Sequence, residues 1–134
     1  MEPFPSIDEV EMMLEKAAEK IPQPFYDGLN LGIALLPDRR LHPQGHGDLF
    51  VLGEYDVSMA GCGITIYYGS FATVFAGDGR ATIEKELEHT LRHEFWHHME
   101  HRAGENALER EDEEELEAYQ HQYALRRGEH SDET

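Results

Sequence analysis

An α+β domain is predicted by three observations: helical spacing of apolar residues at the N-terminus, short β-rich runs in the middle, and an apolar residue at every fourth position after residue 80. Ser6 and Glu9 have the spacing of a capping box, and Ile7, Val10, Met13 or Leu14, Ala17 and Ile21 recur at helical intervals up to the break at "PQP". After Gly28, "LNLGIALLPD" reads as a buried strand closed by Pro37 and Asp38. "RRLHPQGHGD" has the Pro and Gly content of a loop, so His42 and His46 read as solvated loop residues rather than ligands. "DLFVLGEYD" is a second strand candidate. "GCGITIYYGSF" is a third, with Ile64, Ile66 and Tyr68 alternating against Thr65 and Tyr67, and a loop rich in Gly, Met and Ser separates the two. "FATVFAGDGR" fits either a short strand or a turn of helix before Gly77 to Gly79 interrupt it. From Ala81 to about Arg102 the pattern is helical, with Ile83, Leu87, Leu91, Phe95 and Met99 spaced by four and a stop at Ala103 and Gly104. A last helix is expected to run to about Arg127, and the acidic end from about 128 to 134 reads as a frayed tail.

A chain of 134 residues with 40% hydrophobic content, no internal repeat and no linker is sized for one domain spanning 1–134. Its formal charge of −17 sets it against polyanions, so no nucleic-acid partner is expected. Much of that acidity lies in "EREDEEELE", which reads first as a solvated helix face. Cys62 is the single cysteine and excludes an internal disulfide. The N-terminal stretch lacks a basic flank and apolar core, and no run approaches about 18 apolar residues, so no membrane association and a cytoplasmic location are expected.

The most pointed feature is "HEFWHHMEHRAGE". His93, Glu94 and His97 form H-E-x-x-H. On a helix, residues four apart differ by about 40° in direction, so the two imidazoles can converge on one zinc ion. Glu94 lies about 100° round from His93, where a general base belongs: beside the ion without occupying the position a water needs. With nine histidines in the chain the bare motif carries little, and its context carries the weight. The motif falls in an independently predicted helix, alongside the Ile83, Leu87 and Leu91 stripe that would half bury it. His89 and His101 extend the row by a turn each way, but three such positions span about 12 Å, too far for one ion. They read as surroundings, as do His98, Glu100 and Glu105.

A catalytic zinc takes three protein ligands, so a third must come from chain that turns back after Gly104. Asn106 and Glu109 offer caps for a returning helix, on which Leu108, Leu116, Tyr119 and Tyr123 share an apolar face. Asp112 interrupts that stripe, which makes it the first candidate for the third metal ligand; Glu113 and then Glu109 follow. The alternative is that Asp112 is itself a helix N-cap, with Glu115 closing a capping box.

Taken together, the N-terminal helix, "ITIYYGSF", "LRHEFWHH" and "LEREDEEELEAY" resemble the small bacterial zinc metallopeptidases, a minimal zincin family, over roughly residues 6 to 123. The H-E-x-x-H-H core and the Tyr-x-Gly-x-Phe-like strand end are the most specific parts. The resemblance implies a minimal zincin-like fold: N-terminal helix, small mixed β-sheet, active-site helix and C-terminal helix. It also implies Zn2+ on His93 and His97, with Glu94 as general base. Members read H-E-x-x-H-x-x-G-x-x-D, whereas Glu100 and Ala103 stand at the Gly and Asp positions here. Either a longer helix and loop move the acidic ligand to Asp112 or Glu113, or the third ligand is lost.

The function expected is therefore zinc-dependent hydrolysis of peptide bonds by a metal-activated water, acting on a peptide or protein substrate. The substrate would lie along a sheet edge, for which Ile64 to Tyr68 is the candidate strand. The strong negative charge favours basic or neutral peptides. Tyr119 or Tyr123 could assist an oxyanion, though a core role fits either better. The rival expectation is a metal-binding or protein-interaction module without turnover.

Overall fold

The structure, a computed structural model, describes residues 3–104. Its first helix, α1 (Ile7–Glu19), starts as the sequence dictates. The Ser6 hydroxyl accepts from the Glu9 N–H, and the Glu9 carboxylate accepts from the Ser6 N–H at 2.8 Å. Val10, Met13, Leu14 and Ala17 form its buried face, and a short 3-10 helix (Gln23–Tyr26) follows the break.

Five strands come next: β1 (Gly32–Leu36), β2 (Arg40–Leu41), β3 (Phe50–Val51), β4 (Gly53–Ser58) and β5 (Gly61–Tyr67). β1, β5 and β4 make a mixed sheet in that order. β1 runs parallel to β5 from Gly32↔Gly63 to Leu36↔Tyr67, and β4 runs antiparallel from Gly53↔Ile66 to Ser58↔Gly61. β2 and β3 form a separate antiparallel ribbon. Helix α2 (Tyr68–Val74) leaves β5 directly, and α3 (Arg80–Ala103) packs against α1 and the sheet. The architecture is thus α+β, with three α-helices and a small mixed sheet among the described residues. Among the described residues no helix is long and apolar enough to cross a membrane.

Several expectations are corrected. The "GIALL" strand is a sheet edge and only half buried, with Leu36 exposed, because β5 covers it on one side alone. The Pro- and Gly-rich segment expected as loop contains β2. The loop expected between the second and third strands is a tight connection with Met59 and Ala60 at its tip. The ambiguous "FATVF" belongs to a helix. The apolar row of α3 ends at Phe95, since Met99 is exposed. The expected last helix and tail lie outside the described residues.

Two glycines fix how the sheet meets its neighbours. A β-carbon on Gly69 would lie 2.7 Å from the Arg39 nitrogen and 2.8 Å from the Asp38 carbonyl, so only glycine lets the β5–α2 turn pass the β1–β2 connection. The Gly69 N–H donates to the Asp38 carbonyl at that crossing. At Gly53 a β-carbon would lie 2.9 Å from Thr90 Cγ2 and 3.1 Å from Ile66 Cδ1. This close approach seats the start of β4 against the middle of α3.

Candidate functional site

On α3, Ile83, Leu87, Leu91 and Phe95 form one fully buried row, and Thr90, Glu94 and His98 form a second beside it. The next row round holds His93 and His97, both half buried. Four-residue spacing therefore puts Glu94 inside the protein and the histidine pair at its margin. The His93 and His97 rings stand 4.8 Å apart, edge to face, and Trp96 lies 5.7 Å from His97.

A cleft of about 320 Å3 opens where α3, the start of β4 and the β2–β3 connection meet. Its walls include Glu94 and His97 from α3, Glu54 and Tyr55 from β4, Arg40 from β2, and His42 just beyond it. Burial, then the charges of Glu54 and Asp56, push the Glu94 carboxyl up to about 8. Burial, then repulsion from His97 and His89, bring His93 down to about 4, which leaves it a neutral imidazole with a nitrogen lone pair at pH 7.

Glu54 is anchored by two neighbours. Tyr67 donates its hydroxyl proton to Glu54 Oε1 at 2.7 Å, and Arg40 Nε pairs with Oε2 at 3.1 Å. Asp56 is raised by burial and by the Glu54 charge.

The histidines divide sharply. His98, expected only as surroundings, is completely buried: Nε2 donates to the Asp27 carbonyl at 2.7 Å and Nδ1 meets the Tyr55 hydroxyl at 2.6 Å. A carbonyl can only accept, so Nε2 carries a proton. His98 thus ties α3 to β4 and to the turn after the 3-10 helix. His89 and His101 do not line the cleft, and His101 stands 6.1 Å from the Tyr55 ring. His46 is exposed, as expected.

His42 corrects its expectation. It is 7% exposed, and its backbone N–H donates to the Leu49 carbonyl at 2.7 Å across the ribbon. Local composition favoured a solvated loop. The overlooked signal was "RRL" facing "LFV" across a Pro- and Gly-rich turn, a hairpin pattern that folds His42 inward.

The substrate edge is also corrected, since β5 pairs on both sides and has no free edge. β4 is the edge strand that borders the cleft. Among the described residues no strand pairs with its outer side.

Two of the proposed metal donors, His93 and His97, are close together. Among the described residues no group of three or more His, Cys, Asp or Glu could hold a metal ion. Asp112, Glu113 and Glu109 lie outside the described residues.

Fold and site define an α+β protein whose helix α3 carries an H-E-x-x-H pair of histidines beside a cleft with a buried carboxyl. No protein-family model matches the chain, and no curated protein matches it. Among solved structures it is similar to a conserved hypothetical protein from Thermo thermophilus. The identity is 30% and the TM-score 0.66, over 74% of this chain and 98% of that one. The chain belongs to the family of that protein.

The resemblance to the small bacterial zinc metallopeptidases is accordingly corrected. The solved relative is described only as a conserved hypothetical protein, and the described residues assemble no three-donor metal group. The physical reason lies at the end of α3, where the position at which that family carries aspartate is Ala103, a methyl group on the last helical residue that offers no donor.

Proposed function

We propose that the protein hydrolyses peptide bonds in a zinc-dependent reaction, with Glu94 as general base. The observation that carries this reading is the placement of Glu94: a carboxyl 2% exposed, on the wall of a cleft, on the same helix as two histidines one turn apart. Burying a carboxyl is costly without a function or a partner.

The donor chemistry suits zinc in part. His93 and His97 offer imidazole nitrogens, and Asp112 is the proposed third ligand, supplied by chain beyond Gly104. Zinc held there would supply a Lewis acid and make water a stronger acid, with a pKa of about 7. Next to a divalent cation Glu94 is the carboxylate. It takes a proton from water as the oxygen bonds to the peptide carbonyl carbon. It then delivers that proton to the nitrogen as the carbon–nitrogen bond breaks, leaving a carboxylic acid and an amine. The outer edge of β4 offers backbone groups to an extended peptide. Glu54 and Asp56 favour basic side chains near it, tempered by Arg40 on Glu54.

Zinc analysis of untagged protein and cleavage of a peptide library test this reading. Wild type should cleave only with zinc, and Glu94→Ala should lose roughly 10²–10⁴-fold in rate while retaining zinc. Zinc binding without cleavage that depends on Glu94 sinks the enzyme and leaves the second reading, a metal-binding or interaction module. That second reading is favoured by the two-donor count among the described residues.

A further inference from the structure

We propose that the chain beyond Gly104 turns back along α3 and covers the side of that helix that carries Trp96 and His97, with Leu108, Leu116, Tyr119 and Tyr123 as the contacting residues. This inference does not depend on the hydrolytic reading above.

The surface comes first. Two rows of α3 are buried, ending at Phe95 and His98, and the rows beyond them are not. Trp96, the single tryptophan of the chain, is 40% exposed, and Met99 is 38% exposed. The Trp96 ring lies beside the histidine pair, with centroids 5.7 Å from His97 and 6.4 Å from His93. An exposed apolar side chain is ordinary on a protein surface, so exposure alone selects no occupant.

Where the chain goes next selects one. Helix α3 ends at Ala103, and Trp96 and Met99 both lie within about two turns of that end. The chain from 105 to 134, outside the described residues, starts there. Its stretch 105–127 is nearly as long as the 24-residue α3. The sequence spaces Leu108, Leu116, Tyr119 and Tyr123 at helical intervals, an apolar stripe that needs a surface to cover.

Charge order then sets the direction. Forward along the segment stand Arg110, an acidic run over 111–117, and Arg126 with Arg127. Backward along α3 from its end stand Glu100, then His97, His93 and Arg92, then Glu86. Laid antiparallel, Arg110 falls near Glu100, the acidic run passes Arg92 and the two imidazoles, and Arg126 falls near Glu86. The separations agree closely, from 110 to 126 on one side and from 100 to 86 on the other. Surface ion pairs contribute little each, so they set the register while the apolar stripe supplies the attraction. A second copy of the chain fits this side less well, because it brings a formal charge of −17 against the same charge.

The test uses the full chain and reads Trp96, which no other tryptophan obscures. Acrylamide should quench its fluorescence at least about twofold more strongly in the double variant Leu108→Ser with Leu116→Ser than in wild type, because the cover is lost. Equal quenching overturns the proposal. Far-ultraviolet circular dichroism reports whether that variant keeps its fold, and if it does not, the charge pair decides. Glu100→Arg and Arg110→Glu should each raise the quenching, and the two together should return it to near the wild-type value. A double variant no better protected than either single one overturns the antiparallel placement. The wild-type quenching should also stay constant on about hundredfold dilution; a rise assigns the cover to a second copy and overturns the proposal as well.

Discussion

Tyr67 shows how far a single side chain can be fixed by its surroundings. Burial, then its hydrogen bond to Glu54 and the charge of that carboxylate, push its phenol up to about 12. Because the folded value lies above the ordinary one near 10, the folded state holds the proton longer than the unfolded chain. This contribution to stability is complete below about pH 10 and is lost as pH rises toward about 12. Absorbance titration of the phenolate band should therefore show a late-ionising step that Tyr67→Phe removes. Variant and wild type should also converge in stability over the same alkaline range; a constant gap across it defeats the assignment. Tyr67 was legible in the sequence only as the polar alternate of Ile64 and Ile66, and its burial comes from Glu54 and Arg40, which lie far from it in the chain. His93, Glu94 and His97 were legible because their relation is local, one turn of one helix. His98 was not, because its partners, Tyr55 on β4 and the turn at Asp27, are distant in sequence, and His42 was not, because its burial follows from the pairing of β2 with β3.

At the scale of elements, local chemistry set the boundaries of α1 and α3, and those were read correctly. Ser6 caps α1 reciprocally with Glu9, so Ser6→Ala should cost about 1 kcal/mol in denaturant unfolding without changing the fold. An unchanged midpoint contradicts a working cap. Strand neighbours were harder to read, because alternation tells which face a side chain takes and says nothing of which strand lies beside it. Hence "ITIYY" seemed an edge and is the centre, while "GIALL" read as a buried strand and is a half-buried edge. The packing of β4 on α3 has its own test at Gly53. Gly53→Ala must displace Thr90 or Ile66, which should cost about 1–3 kcal/mol and disturb the Glu54 and Tyr55 wall of the cleft. Full stability in that variant means that the two elements have more slack than the contact distances imply.

For the whole molecule, the proposed zinc links the described fold to the chain that follows it. A ligand that binds only the folded state stabilises by about 2.7 kcal/mol at about one hundred times its Kd, on the order of 10 °C in Tm for a domain of this size. Thermal unfolding with and without zinc should show a rise of that order in wild type and none in His93→Ala or His97→Ala. The third donor is then identified by difference. The sequence pattern makes Asp112 the first candidate, Glu113 the next and Glu109 the third, all outside the described residues. Asp112→Ala should weaken zinc by at least roughly 10–100-fold and abolish most of the thermal shift, while Glu113→Ala should stay within about threefold. A loss in Glu113→Ala alone reassigns the ligand by one position. Full zinc affinity in both variants removes Asp112 and Glu113 from the ligand set and leaves Glu109 as the remaining acidic candidate.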